Sequence, residues 1–363
     1  MATPSLRSRV LLIDILKASA AQFIVLHHLA WYGLFDHPPR IEAQVDWLVN
    51  YGRYAVAVFI ATSGFLAAQT LPFDGMASRD RPLCLIRDRY LRLLGPFLAA
   101  LLLAVASHWV SRQWLGEHDA LGETPTVTQF LAHLLMLQGL LGIESLSAGV
   151  WYVAIDFQLY ALFVLLLWAG HGLHRLASAD FMARAAPAMV LAMALASLLY
   201  YNRDARWDDT ALYFFGSYAL GIASGWSIRS GLGARYRLLI IVAALLALWV
   251  EFRARIAVAA LTALLLGFGR LVLVRREIRL VHYLGGTSFA LFLVHFPLYL
   301  MVAALFQALQ LATPAWDAIG LVVTWLASMA GAHLFHRWIE LPYGRWRKQR
   351  ARCAAKPSSA VLP

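Results

Sequence analysis

The chain is poor in charge. Only 14% of its 363 residues are Asp, Glu, Lys or Arg, and 61% are hydrophobic, whereas soluble domains carry about 25% charge. So little charge, with apolar runs of about twenty residues between basic clusters, excludes a soluble globule and reads as a polytopic helical membrane protein. Cysteine is scarce too: Cys84 and Cys353 are the only two. That excludes a disulfide framework, and both sit in basic segments expected in the cytoplasm, as free thiols. Lysine is nearly absent, with three against 28 arginines, a usage typical of a GC-rich bacterial genome. A cleavable signal peptide is not expected, because the first apolar segment holds Asp14 and Lys17 and lacks a small-residue cleavage site.

What is present is a succession of apolar segments. About ten have spanning length, near 11–32, 53–71, 93–114, 150–170, 185–201, 211–228, 237–252, 256–274, 281–306 and 315–336. The expected fold class is all-α, a membrane helical bundle. Residues 128–143, TQFLAHLLMLQGLLGI, are short and glycine-interrupted, and read as a re-entrant or interfacial helix. The net charge of +11 does not indicate nucleic acid, because the basic residues cluster between the apolar segments. With a cytoplasmic N-terminus, 22 Lys and Arg residues fall inside and 7 outside, which predicts N-in and C-in. The connections hold no domain-sized sequence. The division is therefore one membrane domain over 1–345 and a basic cytoplasmic tail, partly disordered, over 346–363.

Ionisable residues within apolar segments are functional candidates, because hydrocarbon tolerates them poorly. The first segment carries Asp14 and Lys17, three apart and able to pair on one helix face. Near its far end lie His27 and His28. WYVAIDFQLY, residues 151–160, descends from the same side and puts Asp156 at a depth close to that of His28. A histidine and a carboxylate at one depth suit a general-base pair, the carboxylate holding the imidazole tautomer. RDRYLRLLGPF, residues 87–97, sets Arg89 and Arg92 on one helix face at a cytoplasmic mouth. Such a pair is either a positive-inside anchor or an anion clamp for phosphates. His295 lies mid-segment, two residues before Pro297, and reads first as a structural hydrogen-bonder. Glu340 lies among arginines at the end of the last segment and should pair with one of them. Ser63–Gly64 suggests close helix packing, since no nucleophile elbow surrounds the serine.

Taken in order, these pieces resemble the acyltransferase 3 family of integral membrane acyltransferases. Asp14 and His28 have the spacing of the family's first-helix motif, with Lys17 where the family has arginine. Phe59, Ser63, Gly64 and Phe65 match its next motif with one extra residue. Arg89 and Arg92, followed by Pro96, match its R-x-x-R. Trp151, Asp156, Gln158 and Tyr160 match a motif in which Asp156 replaces glutamate. Ser288, Phe289, Leu293, His295 and Pro297 match another, and Glu340 with Pro342 a late E-x-P. The resemblance implies transfer of an acyl group, often acetyl, from cytoplasmic acyl-CoA to a hydroxyl of a cell-envelope or exopolysaccharide carbohydrate. The setting would be the bacterial inner membrane. It implies His28 and Asp156 as catalytic residues and Arg89 and Arg92 as acyl-CoA contacts. Asp14, Lys17, Trp151, Gln158, Tyr160, His295 and Glu340 would be supporting polar groups, with Gln158, Tyr160 or His295 as oxyanion stabiliser. His27 would be a neighbour in a polar pocket. No bound cofactor, no metal and no nucleic-acid partner are expected; the partners are acyl-CoA, a carbohydrate acceptor and the bilayer. The alternative from composition alone is a transporter or flippase for a lipid-linked sugar.

Overall fold

The computed structural model describes residues 4–35, 41–71, 81–172, 179–229, 233–268 and 278–355. Among them are thirteen α-helices. They are α1 (Pro4–Trp31), α2 (Glu42–Tyr51), α3 (Val56–Thr70), α4 (Pro82–Leu115), α5 (Val127–Leu134), α6 (Val150–Gly172), α7 (Ala179–Leu199), α8 (Ala211–Arg229), α9 (Gly233–Val250), α10 (Ala254–Phe268), α11 (Arg279–Ala308), α12 (Pro314–Phe335) and α13 (Leu341–Ala355). No strand occurs among the described residues. In hydrocarbon every backbone group must be satisfied within its own segment, and helices alone do that without closing a barrel.

As far as they are described, the ten expected segments fall on helices, with 269–274 of the eighth outside the described residues, and among the described residues seven stretches have the length and hydropathy of a membrane crossing. The other three expected segments are α8, α9 and α10, in the middle of the chain. In α9 and α10 the described apolar stretches, Arg237–Val250 and Ala254–Phe268, run up to residues outside the described set. The polar residues Ser217, Ser224, Ser227 and Arg229 lower the hydropathy of α8. The orientation rests partly on Arg40, Arg79, Arg175, Arg275 and Arg276, which lie outside the described residues. The 128–143 segment does not cross. It forms the eight-residue α5, started by a capping box between Thr126 and Gln129, and then a series of turns that places Met136 at φ +58°. The expected tail begins as α13, while 356–363 lie outside the described residues. Cys84 is a free thiol in the first turn of α4.

The long α11 is the central post, packed against α1, α4 and α12. Its most apolar stretch is 72% buried, against 28% for the stretch containing α12, which faces outward. The tightest crossing is between α3 and α8. Here Gly64 lies against the Tyr218 carbonyl, while Gly221 lies against the Ala61 carbonyl and Gly225 against the Phe65 carbonyl. Gly221 and Gly225 are a G-x-x-x-G pair, and bare backbone faces let two membrane helices approach closely. The expectation for Ser63–Gly64 is therefore met on the glycine's side.

Candidate active site

Two polar cavities enter the bundle from opposite ends. The upper one, about 640 Å³, is bounded by the end of α1, the starts of α3, α6 and α8, Arg255 of α10 and the turns at 138–145. The lower one, about 700 Å³, is bounded by Lys17 of α1 and by α3, α4, α6, α11 and α13. Phe292 of α11 lines both. Its ring packs edge-on against Phe59 and Tyr152, with centroids 5.9 and 5.1 Å away. These three rings form the septum between the cavities.

His28 lines the upper cavity, and its Nδ1 lies 2.7 Å from Nε2 of His295. The rings are parallel within 3°. The tautomers follow from the acceptors. His295 Nδ1 sits 2.9 Å from the Phe292 carbonyl and 3.1 Å from the Leu291 carbonyl. A carbonyl only accepts, so Nδ1 of His295 carries a proton and its Nε2, in the neutral ring, is an acceptor. His28 must then donate from Nδ1, which leaves a lone pair on His28 Nε2. That nitrogen has no partner among the described residues. His27, by contrast, is tied by Nδ1 to the Leu48 carbonyl at 2.9 Å. It is a polar neighbour, as expected.

The expected pairing of His28 with Asp156 does not form. Asp156 is buried in the lower cavity, where it accepts from the Arg89 guanidinium and from the Ser63 hydroxyl. The reason is helical phase: Val153 and Asp156 face the lower cavity, while Ala154, Ile155 and Gln158 face the upper one. Similar depth along α6 did not mean the same face. Arg89 also lies over the Tyr160 ring at 5.3 Å, and its Nε is buried without a partner among the described residues. Arg92 lines the same cavity, while Arg87 turns out toward Asp88.

Other expectations also shift. Asp14 pairs with His282 at 2.7 Å rather than with Lys17. Gly285 makes room for this, because its bare Cα lets α11 close directly on Asp14. Lys17 is left facing the lower cavity. Gln158 gives its amide to the Met136 carbonyl at 2.9 Å and so holds the 135–142 turns. Tyr160 serves Arg89, so neither it nor Gln158 is placed to stabilise an oxyanion beside His28. Trp151 lines the upper cavity and packs on Phe214 at 6.0 Å. Glu340 pairs with His336 at 2.7 Å, not with an arginine.

Sequence reasoning missed the rim of the upper cavity: Arg53, Glu144, Asp208, Asp209 and Arg255. None of these five forms an ion pair among the described residues. Burial and the neighbouring Asp209 push the Asp208 carboxyl up from its ordinary value. Buried Gln138 Oε1 and Ser145 Oγ at this cavity also lack partners among the described residues. The adjacent Asp208–Asp209 was the one legible signal, and it matched no motif.

The match to the acyltransferase 3 family, an acyltransferase domain, covers residues 10–333. The chain belongs to that family. It is a multi-pass membrane acyltransferase. Searches among curated proteins and among solved structures each found no match. The acyltransferase 3 motif positions divide between the two cavities: His28, backed by His295, above the septum, and Lys17, Ser63, Arg89, Arg92 and Asp156 below it. The family match stops short of Glu340 and α13.

Proposed function

We propose that the protein is an O-acyltransferase of the bacterial inner membrane. It takes an acyl group, acetyl in the simplest case, from cytoplasmic acyl-CoA and places it on a hydroxyl of a cell-envelope carbohydrate. The observation that carries this reading is the pairing of an unengaged His28 Nε2 in one cavity with unpaired cations in the cavity at the opposite end. The charge distribution along the chain supports putting the lower cavity in the cytoplasm.

The donor's phosphates sit among Lys17 and Arg92, with the spare Nε of Arg89, and its thioester reaches the septum. His28 Nε2 removes the acceptor hydroxyl's proton as the oxygen attacks the thioester carbonyl. The C–S bond breaks, the thiolate takes the proton back from the imidazolium, and an ester and free CoA remain. His295 holds the His28 tautomer, the task expected of Asp156. The Asp156–Arg89 pair instead fixes the charge at the head of the lower cavity. Unpartnered carboxylates, the Gln138 and Ser145 oxygens and Trp151 suit a polyhydroxylated acceptor, which offers both donors and an apolar face.

The test is transfer from radiolabelled acetyl-CoA by the purified protein in detergent, with an envelope glycan extract present. Label in the glycan, matched by released CoA thiol, is the expected result. Sugar-lipid movement across vesicles without thiol release would replace this reading with a flippase.

A further inference from the structure

The last described helix lies beyond the family match, yet it forms a wall of the lower cavity. A π-helical turn, His336–Glu340, leads from α12 into α13. Leu341, Gly344, Arg347 and Lys348 then face the cavity, a spacing of three to four residues that marks one helix face. The face is held in place. Tyr343 donates its hydroxyl to the Leu91 carbonyl at 2.5 Å, and Arg347 Nη2 donates to the Asp88 carbonyl at 3.2 Å. At its centre is Gly344, where an added Cβ would meet nothing within 4 Å. The helix thus presents bare backbone and two cations to open space.

The charge there is unspent. The cavity's carboxylates, Asp156 and Glu340, are engaged by Arg89 and His336. No carboxylate among the described residues lies within 4 Å of Lys17, Arg92, Arg347 or Lys348. A helix serving only as a basic membrane anchor would turn its cations outward, as Arg345 and Arg350 do; Arg350 lies over the Trp346 ring at 4.6 Å. Arg347 and Lys348 turn the other way. Several like charges around one cavity repel unless an anion joins them, and a multiply phosphorylated nucleotide matches this number of cations.

We propose that α13 is the closing wall of a nucleotide-phosphate site, in which Arg347 and Lys348 face Lys17 and Arg92 across the donor's phosphate groups. The assignment of that nucleotide to an acyl-CoA rests on the proposed function; the anion site itself does not. The experiment measures binding of adenosine 3′,5′-bisphosphate and of CoA to the full chain in detergent. Wild type is compared with Arg347→Gln/Lys348→Gln and with a control at two α13 cations that do not line the cavity, Arg345→Gln/Arg350→Gln. Elution as a monodisperse peak establishes folding, and Lys348→Glu serves as second variant should the double change misfold. The expected result is a Kd for both probes raised about tenfold or more by Arg347→Gln/Lys348→Gln, a raised KM for acetyl-CoA with a defect confined to donors carrying the nucleotide, and no effect of the control. Binding equal to wild type in both α13 variants overturns the proposal, as does failure of wild type to bind either probe. Binding that depends on α13 in a protein without acyl transfer would leave the anion site standing and sink the enzymatic reading.

Discussion

The Arg89–Asp156 pair shows how much one residue can depend on another. Asp156 is buried, and its side chain keeps 8% of its surface. Removing Arg89 leaves that carboxylate without its counter-charge, a loss of about 3–5 kcal/mol for a buried pair. Arg89→Ala is expected to lower the thermal midpoint in detergent sharply, and Arg89→Ala/Asp156→Ala to recover much of it. A loss in the double variant equal to the sum of the losses in Arg89→Ala and Asp156→Ala would mean that the two charges are not coupled. Much of this site was legible residue by residue: His28, Arg89, Arg92, Asp156 and His295 all line or support a cavity. What could not be read was who faces whom. One residue along α6 rotates a side chain by about 100°, so position along a helix says little about partner. The His28–His295 bond joins residues 267 apart in sequence, beyond the reach of any local pattern.

At the scale of elements, close packing and polar turns do different work. Gly221 meets the Ala61 backbone, so Gly221→Leu should abolish a monodisperse folded peak in size-exclusion chromatography. Gly286→Ala, where added atoms meet nothing within 4 Å, should leave it intact. The turns after α5 depend on a neutral histidine. His133 donates from Nδ1 to the Gln129 carbonyl at 2.7 Å and accepts at Nε2 from the Leu146 amide at 3.1 Å. Burial pushes its pKa down from the ordinary value. The folded state therefore binds fewer protons than the unfolded one. The stabilisation is full above the ordinary histidine value, about 6.5, and is lost as pH falls below it. The protection of the Leu146 amide, the intrinsic exchange rate over the observed one at the same pH, should fall as pH drops from 7 toward 5, and His133→Gln should flatten that dependence. Helix positions followed from hydropathy because bilayer thickness dictates their length. The α5 turn and α13 did not, since capping and cavity contacts decided them.

For the whole molecule, the arrangement is two cavities meeting at an aromatic septum, with His28 above and cations below. Phe292 lines both sides. Phe292→Ala should join the cavities and admit water to the thioester, raising acetyl-CoA hydrolysis relative to transfer; an unchanged ratio would remove the septum from the account. The most direct test of the central claim compares acetyl transfer by wild type, His28→Ala, His295→Ala and Asp156→Asn, each shown to be folded. No transfer is expected with His28→Ala, and a loss of about a hundredfold or more in kcat with His295→Ala. Asp156→Asn should act mainly through stability. Full activity in His28→Ala, or loss in Asp156→Asn alone with His295→Ala unaffected, would contradict it.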